Sequence, residues 1–333
     1  MGKKTIYLET NSTNPYYNLA FEEYILQNRK DADYLLLWQN ANTIVVGQNQ
    51  NTEAEINRSF VEKHHINVVR RSTGGGAVYH DLGNLNYSFI TDIGDRSQLT
   101  MKKFTVPIVN ALTSLGLDAE ASGRNDILVN GKKVSGTAQR MTQNRVLHHG
   151  TLLFDSNPEM ISGALNVKKE KFISKSSKSV ASRVGNIRSA LPKDMTLPEF
   201  WDYLKSALSE NEYEIGSVTE EELQAIEKLK KEKYDTWDWN YGNSPKYNFN
   251  NSKRYSGGTV EVRLFVENGY ISEISFYGDF LSLTSLDALT DALTGCKYTL
   301  EDVKNVLNSF DLSLFFGAIT KEEILHTIFL LEE

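Results

Sequence analysis

Three consecutive glycines follow a pair of arginines within residues 70–81. Apolar alternations before and after this stretch predict a loop between two strands. Because glycine has no Cβ, the backbone N–H groups of such a loop can approach a ligand closely and form an anion-binding turn. Arginine adds a planar fork of donors that fits phosphate or carboxylate. The stretch indicates a site for a phosphate-bearing ligand, although many glycine-rich turns are only turns and neither a Rossmann nor a P-loop spacing is present.

A lysine pair in a second stretch could supply the cation of such a site. Asn130-Gly131 separates two strand-like runs and predicts a type I′ hairpin. Lys132 and Lys133 follow the turn, and neighbouring strand residues face opposite ways. An ammonium about 4 Å from a phosphate oxygen gains about 4 kcal/mol at intermediate dielectric. Lys133 is therefore our candidate catalytic residue, and a pair of solvated edge lysines is the alternative.

Other polar residues near these two stretches have a chemical and a structural interpretation. Asp126 opens the hairpin and could hold Mg²⁺, which binds one or two carboxylates plus phosphate oxygens, or it could be an ordinary turn residue. His148 and His149 lie within a strand-like run, so only one of them faces the core, and a structural role is the default. His80 precedes an aspartate and could act as a base. The aromatic cluster at residues 237–241 suggests core packing.

Composition limits the class of protein. The chain has 333 residues, 40% of them apolar, and a net charge of −7, which gives no overall indication of a nucleic-acid partner. The single cysteine, Cys296, excludes a disulfide framework within the chain and fits a reducing cytoplasm. No apolar run approaches the roughly 20 residues that span a bilayer, and the N-terminus leads directly into a strand pattern without a signal peptide.

The predicted elements are hairpins and helices in an order typical of an α+β fold rather than a doubly wound sheet. Residues 34–38 and 43–46 are predicted to pair as a hairpin, and residues 53–64 to form one helix. Alternation at residues 260–266, a turn at Asn268-Gly269 and three further helices indicate a small α+β module at the C-terminus. We place the domain boundary between residues 245 and 246, giving domains 1–245 and 246–333. Residues 166–188 form a basic, serine-rich segment.

These motifs together resemble one family, the lipoate–protein ligases. They occur in the family's order and cover nearly the whole chain: residues 70–84, 123–126, 133–136 and 148–152, followed by the Trp-x-Trp-Asn-Tyr-Gly cluster at 237–242.

The resemblance implies a fold and a reaction. The large domain would have a mixed β-sheet flanked by helices, as in biotin and lipoate ligases and class II aminoacyl-tRNA synthetases. Lipoate and ATP, with Mg²⁺, would give lipoyl-AMP and pyrophosphate, without a tightly bound prosthetic group. The lipoyl group would pass to a lysine of a lipoyl domain, either of a 2-oxoacid dehydrogenase E2 subunit or of the glycine cleavage H protein. The alternatives are an octanoyl or lipoyl transferase on the same fold and a non-catalytic binding module.

The resemblance also implies roles for individual residues. Lys133 would contact both the lipoate carboxyl and the phosphate, and Asp126 would be the candidate metal ligand. Lys175, Ser179 and Arg183 would belong to a loop that closes over the adenylate. The adenylate would be bound by Arg70, Gly75, Gly76, Ala77, Val78, Asn125, Asp126 and Lys133. Lipoate would be bound by Arg70, Gly74, His80, Lys133 and His149.

Overall fold

The computed structural model describes residues 4–50, 52–94, 100–123, 125–142, 144–165, 184–209, 212–241, 249–267 and 270–329. An eight-stranded mixed sheet dominates the N-terminal part, in the order β11-β1-β2-β6-β10-β9-β8-β7. Only the β1–β2 and β1–β11 pairs are parallel. Its strands are β1 (Thr5–Glu9), β2 (Asp33–Trp38), β6 (Asn84–Asp92), β7 (Ala119–Ser122), β8 (Asp126–Val129), β9 (Lys132–Met141), β10 (Arg145–Leu153) and β11 (Glu214–Ile215).

A separate three-stranded sheet carries the glycine loop. It comprises β3 (Thr43–Val46), β4 (Asn67–Arg70) and β5 (Val78–His80), in the order β4-β3-β5. The loop joins β4 to β5, whereas the sequence placed the next strand at residues 85–90, which belong to β6 of the large sheet. The predicted hairpin of residues 34–38 with 43–46 is wrong, because β2 pairs with β1 and β6 whereas β3 belongs to this second sheet.

Helices cover both faces of the large sheet. Asn14 caps α1 by accepting hydrogen bonds from the N–H groups of Tyr16 and Tyr17, and Thr196 and Thr219 form capping boxes at α6 and α7. The helices are α1 (Pro15–Asn28), α2 (Thr52–Glu55), α3 (Arg58–Lys63), α4 (Met101–Ser114), α5 (Pro158–Ala164), α6 (Leu197–Leu208), α7 (Glu220–Leu229) and α8 (Trp237–Asn240). A 3₁₀ turn occupies Arg188–Ala190, and a π-helical turn at Lys230–Tyr234 extends α7.

Strand β2 explains why the large sheet needs helices on both faces. Leu35 and Leu37 pack into a core that includes Leu112 of α4 and Phe200 of α6. Leu36 and Trp38 point the other way, into a core with α1 and α7. Successive strand residues alternate between faces, so a continuous apolar run such as this one marks a strand that is buried on both sides.

The C-terminal part forms its own small α+β unit. Its antiparallel sheet consists of β12 (Phe249–Tyr255), β13 (Gly258–Glu267) and β14 (Tyr270–Gly278). The unit has a separate apolar core with Val262, Leu289 and Ile324 at its centre. Four helices complete it: α9 (Asp287–Leu293), α10 (Leu300–Asn308), α11 (Ser313–Phe316) and α12 (Lys321–Phe329). The turn predicted at Asn268-Gly269 and the boundary at 245 lie outside the described residues.

Three backbone hydrogen bonds attach this unit to the N-terminal part. The N–H groups of Gly75, Met141 and Gly278 donate to the carbonyls of Phe280, Leu283 and Asn49, at 3.0, 2.7 and 2.6 Å. The fold class predicted from the sequence is therefore confirmed: a large mixed sheet flanked by helices, followed by a small α+β domain. Within the described ranges, no helix combines the length and the apolar character needed to cross a membrane.

Candidate active site

A cavity of about 390 Å³ lies between the large sheet, the glycine loop and the C-terminal sheet. Lys133 and the loop glycines Gly75 and Gly76 line this one cavity, so the structure brings together the two features on which the sequence argument depended. Buried apolar side chains form one part of its wall: Leu19, Trp38 and Val45. The C-terminal domain contributes Arg254 from β12, and Ser256 and Asp279 from the segments that follow β12 and β14.

Lys133 reaches the cavity from the second strand of the Asn-Gly hairpin. Its Nζ lies 2.7 Å from Oδ1 of Asp126, and both side chains are partly exposed. A Cβ at position 136 would lie 3.3 Å from this Nζ, so Gly136 leaves room for the ammonium. Lys132 is exposed to solvent and does not line the cavity. The hairpin therefore directs one lysine of the pair to the site and the other away from it.

Asp126 and Asn125 also line the cavity, beside Lys133. The Asn125 side chain is held by a hydrogen bond from its Nδ2 to the Thr137 carbonyl, at 2.8 Å. The described residues contain no group of three or more His, Cys, Asp or Glu side chains that could hold a metal. Since Mg²⁺ in nucleotide sites takes one or two carboxylates together with phosphate oxygens, Asp126 fits a Mg²⁺ that arrives on a phosphate.

The glycine loop is shaped by the C-terminal domain as well as by any ligand. A Cβ at position 74 would lie 2.6 Å from the Ser282 nitrogen and 2.8 Å from the Phe280 oxygen. Gly75 has a φ of +93°, which L side chains rarely adopt, and its N–H donates to the Phe280 carbonyl. Gly74 therefore permits close docking of the C-terminal domain, whereas the sequence argument assigned all three glycines to ligand approach.

The two arginines before the loop face opposite ways. Arg70 does not line the Lys133 cavity. Its guanidinium donates to the carbonyls of Gly47, Gln48 and Gln50, at 2.9, 3.1 and 2.6 Å. Burial lowers its pKa to about 10, which leaves it charged at neutral pH. The structure therefore separates Arg70 from the residues with which the sequence argument grouped it, and gives it the role of ordering the backbone beneath the loop.

Arg71 is the arginine that reaches the cavity, and sequence reasoning missed it. Its Nη2 donates to the carbonyls of Gly74 and Gly76, at 2.7 and 2.9 Å, and its Nε donates to Thr73 Oγ1 at 2.9 Å. Strand alternation implied that Arg70 and Arg71 face opposite sides, but it gave no means of choosing between them. Arg71 uses its donors to hold the glycine loop in shape.

A buried chain of hydrogen bonds connects Arg71 to His149 and to helix α1. Thr73 Oγ1 lies 2.8 Å from Nε2 of His149, and His149 Nδ1 lies 2.9 Å from Oε1 of Glu22. Ser88 donates to the same carboxylate oxygen at 2.5 Å. A carboxylate only accepts, so His149 Nδ1 carries the proton of its bond to Glu22. Glu22 was missed because a single acid on a helix gives no sign that it is buried.

His80 lines the cavity as a neutral donor. Asn40 Nδ2 lies 3.1 Å from its Nδ1, which therefore accepts and leaves the proton on Nε2. Nε2 is buried and has no hydrogen-bond partner among the described residues. Burial, with the nearby charges of Arg71 and His149, lowers the pKa of His80 to about 3. A histidine of this kind can donate a hydrogen bond to a substrate, but it is a poor base at neutral pH.

The aromatic cluster packs against two apolar cores through Trp239 and Tyr241, and it also holds Arg70 by hydrogen bonds. Trp237 is 56% exposed. Trp239 Nε1 donates to the Arg70 carbonyl at 2.8 Å, and Asn240 Oδ1 accepts the Arg70 N–H at 2.9 Å. The interpretation of this cluster as core packing is therefore wrong for Trp237, and its polar groups hold the end of β4 from which the glycine loop departs.

The remaining sequence predictions lie outside the site or outside the described residues. Lys175, Ser179 and Arg183 fall within 166–183, which the structure does not describe. The segment resumes at Val184, which forms a bridge with Lys133, and the Gly185 N–H donates to the Lys133 carbonyl at 2.9 Å. Cys296 belongs to the C-terminal domain and does not line the cavity, and burial raises the pKa of its thiol.

Comparison with known proteins follows the same division of the chain. The family model described as "Lipoyl protein ligase A/B catalytic domain" matches residues 14–209. A second model, described as "Bacterial lipoate protein ligase C-terminus", matches residues 244–328. The larger part of the chain thus matches the catalytic domain of a ligase family.

Full-length relatives place the chain more narrowly. It is 45% identical over 325 residues to the lipoate–protein ligase LplJ of Bacillus subtilis (strain 168), covering 96% of this chain and 98% of LplJ. The chain therefore belongs to the lipoate–protein ligases, a family of enzymes.

Solved structures with the same fold carry ligands or partners. LipL1 of P. falciparum in complex with lipoate has a TM-score of 0.74 at 26% identity, over 92% of this chain and 95% of LipL1. A lipoate–protein ligase A bound with ATP has a TM-score of 0.63 at 29% identity, over 73% and 99% of the two chains. A bipartite ligase of Thermoplasma acidophilum, described with its E2 lipoyl domain, has a TM-score of 0.64 at 31% identity, over 75% and 100%.

Proposed function

We propose that this enzyme activates lipoate with MgATP to lipoyl-AMP and transfers the lipoyl group to a lysine of a lipoyl domain. The observation that carries the proposal is the convergence of the Lys133 ammonium, the glycine loop and a buried apolar wall on one cavity. An apolar acyl chain fits the buried wall, and its carboxylate fits beside the ammonium. The lipoate-bound and ATP-bound relatives support this choice of substrates.

The first step joins two anions, and the cavity provides the means to offset their repulsion. A carboxylate oxygen of lipoate attacks the α-phosphorus of ATP, the bond to the bridging oxygen breaks, and pyrophosphate leaves. We assign Lys133 the role of the one cation that contacts both the carboxylate and the α-phosphate, which stabilises the transition state electrostatically. Its ion pair with Asp126 at 2.7 Å holds the ammonium in place before the substrates bind.

The second step needs no nucleophile from the enzyme. The neutral amine of the acceptor lysine attacks the acyl carbon, the bond between that carbon and the AMP oxygen breaks, and the amine loses a proton. The E2 lipoyl domain described with the T. acidophilum ligase supports an acceptor of this class, which includes E2 subunits and the glycine cleavage H protein. We assign the catalytic role to a domain of residues 1–245 and the accessory role to residues 246–333.

A cysteine-dependent transferase on the same fold is the less favoured alternative. It would require a thiol that can form a thioester with the acyl group. Cys296 does not line the cavity, its Sγ donates to the Lys297 carbonyl at 3.3 Å, and burial raises its thiol pKa. A thiol in this state is a poor nucleophile because little of it is ionised.

Mass spectrometry of a lipoyl domain incubated with the enzyme, lipoate and MgATP tests the proposal. We expect a lipoyl adduct on one lysine and ATP-dependent release of pyrophosphate. Lys133→Ala should abolish both, whereas Lys132→Ala, which removes the exposed neighbour, should keep them. Lipoylation without ATP would contradict the adenylation step. Robust lipoyl-AMP formation by Lys133→Ala would remove Lys133 from its role.

A further inference from the structure

The cavity has three arginine or lysine side chains among the described residues that line it: Arg71, Lys133 and Arg254. Arg71 is buried and donates to the glycine-loop carbonyls. Lys133 is assigned by the proposed function to the lipoate carboxylate and the α-phosphate. The triphosphate of ATP carries further charge beyond the α-phosphate, and the departing pyrophosphate gains more. Arg254 is the cavity cation that has no role so far.

Arg254 extends from β12 of the C-terminal sheet, and its side chain is 45% exposed. Its Nη1 donates to Asp279 Oδ2 at 3.2 Å and to Thr259 Oγ1 at 2.9 Å. Within the described part of the chain, Nε and Nη2 have no hydrogen-bond partner. One edge of the guanidinium is therefore anchored, while the other edge keeps donors for a ligand in the cavity.

The anchor of Arg254 lies against the glycine loop. A Cβ at position 76 would lie 3.8 Å from the Asp279 Cβ, an ordinary van der Waals contact. Asp279 is only 9% exposed, and its Oδ1 accepts the Thr259 N–H at 2.5 Å. The position of Arg254 relative to the loop is thus set by a buried carboxylate on the domain that docks there through the bond from Gly75 to Phe280.

We propose that Arg254 binds the β- and γ-phosphates of ATP and stabilises the pyrophosphate that leaves during adenylation. This inference rests on the proposed function. The apolar wall is buried and Arg254 is partly exposed, so a ligand with its acyl end against Trp38 directs its triphosphate towards solvent. The planar guanidinium of an arginine can donate to two phosphate oxygens at once, which the ammonium of a lysine, acting as a point charge, does less well.

The proposal separates the two steps of the reaction. When the carboxylate oxygen bonds to the α-phosphorus, the electron pair of the broken bond stays on the pyrophosphate oxygen, and Arg254 offsets that charge without accepting or donating a proton. In the second step the leaving group is AMP, and pyrophosphate is no longer present. The C-terminal domain therefore contributes charge to adenylation and none to acyl transfer.

Steady-state kinetics of Arg254→Ala test this separation. Loss of a charged hydrogen-bonding partner should lower kcat/KM for ATP in pyrophosphate release about 10- to 100-fold. It should raise the inhibition constant of added inorganic pyrophosphate by a similar factor, and leave KM for lipoate within about twofold. Arg254→Lys, which keeps the charge and loses the fork, should recover part of the loss. Lys253→Ala, at the neighbouring position on β12 and outside the cavity, is the matched control.

Transfer from supplied lipoyl-AMP to a lipoyl domain completes the test. Arg254→Ala should carry out this half-reaction at the wild-type rate, with an unchanged thermal unfolding midpoint. Equal losses in both half-reactions would indicate a structural role and overturn the proposal, as would pyrophosphate inhibition that does not change. If the wild-type enzyme itself failed to form lipoyl-AMP, the proposed function would fall instead, so the two failures are distinguishable.

Discussion

The two walls of the cavity are built differently. The N-terminal wall is a buried network in which Glu22, His149, Thr73 and Arg71 are hydrogen-bonded one to the next, and each is at most 7% exposed. The C-terminal wall presents Arg254, whose side chain is 45% exposed and anchored along one edge.

This difference indicates a division of labour. A buried polar network is costly to disturb, because each broken bond leaves an unpaired group without water. Such a network suits side chains that must keep one geometry through both steps of the reaction. A partly exposed wall attached by a few backbone hydrogen bonds is easier to displace, which suits groups needed in one step only. The predictions below test this contrast, from the largest expected effect to the smallest.

Acid should destabilise the N-terminal domain through two buried histidines. Burial lowers the pKa of His80 and of His148 to about 3. Between that value and the unfolded pKa of about 6.5 the unfolded chain binds protons that the folded chain does not, so stability falls as pH falls. Each histidine should remove about 2 kcal/mol of unfolding free energy between pH 6.5 and pH 5. Urea unfolding at several pH values measures this loss.

His148→Phe isolates one of the two contributions. His148 stacks on Phe104 with ring centroids 4.9 Å apart, and a phenyl ring can keep this contact. The variant loses the hydrogen bond with Gln139 and should be less stable near neutral pH. Above pH 5, where few carboxylates titrate, the unfolding free energy of the variant should nevertheless depend less steeply on pH. The difference in slope should correspond to about one proton. An unchanged slope would mean that His148 is not held neutral by burial.

Matched carboxylate-to-amide changes compare the two walls directly. Glu22→Gln replaces an acceptor of hydrogen bonds from His149 and Ser88 with a group that is half donor, and should cost about 2–3 kcal/mol of unfolding free energy. Asp279→Asn keeps an oxygen for the Thr259 N–H and weakens a partly exposed ion pair, so it should cost less than about 1 kcal/mol. Equal costs in chemical denaturation would contradict the contrast.

Asn240 is distant in sequence from the residues of the N-terminal wall, but its replacement should be costly in the same way. Asn240→Ala leaves the buried Arg70 N–H without its acceptor and should cost about 1–2 kcal/mol of unfolding free energy. Trp237→Ala, in the same motif but largely exposed, should cost less than about 0.5 kcal/mol. A larger loss for Trp237→Ala would restore the interpretation of the cluster as core packing.

Locally determined features were predicted best from the sequence. The Asn130-Gly131 hairpin forms as expected, with φ values of +50° and +71° that match the requirement of a type I′ turn. It points Lys133 into the cavity. The Asn14-Pro15 pair is a second signal of this local kind, since Asn14 caps α1 and Pro15 is its first residue. In each case the signal and the structure that it specifies lie within a few residues.

Features that depend on contacts with residues distant in the chain could not be predicted from the sequence. The expected helix 53–64 is broken at Ile56 and Asn57, because Ile56 forms a bridge with Leu165 and the Asn57 N–H donates to the Ala164 carbonyl. For the same kind of reason the sequence assigned Arg70 to the ligand and did not single out Arg71, which is the arginine of the pair that lines the cavity. Strand alternation places the two arginines on opposite faces, and only the packing of the second sheet decides which of these faces lines the cavity.

Gly74→Ala should change the docking of the two domains more than the packing within either domain. Its Cβ would lie 2.6 Å from the Ser282 nitrogen and 2.8 Å from the Phe280 oxygen, both backbone atoms that cannot yield unless the C-terminal domain shifts. Each domain keeps its own core, so the cost should fall on the docking of the two domains rather than on the packing within either one. Hydrogen exchange should accelerate at the Gly75 and Gly278 amides, which donate across the domain boundary.

Gly76→Ala, whose Cβ would make only an ordinary 3.8 Å contact, should leave the exchange of the Gly278 amide unchanged. Unaltered exchange at both amides in Gly74→Ala would mean that the first glycine of the loop is not needed for docking.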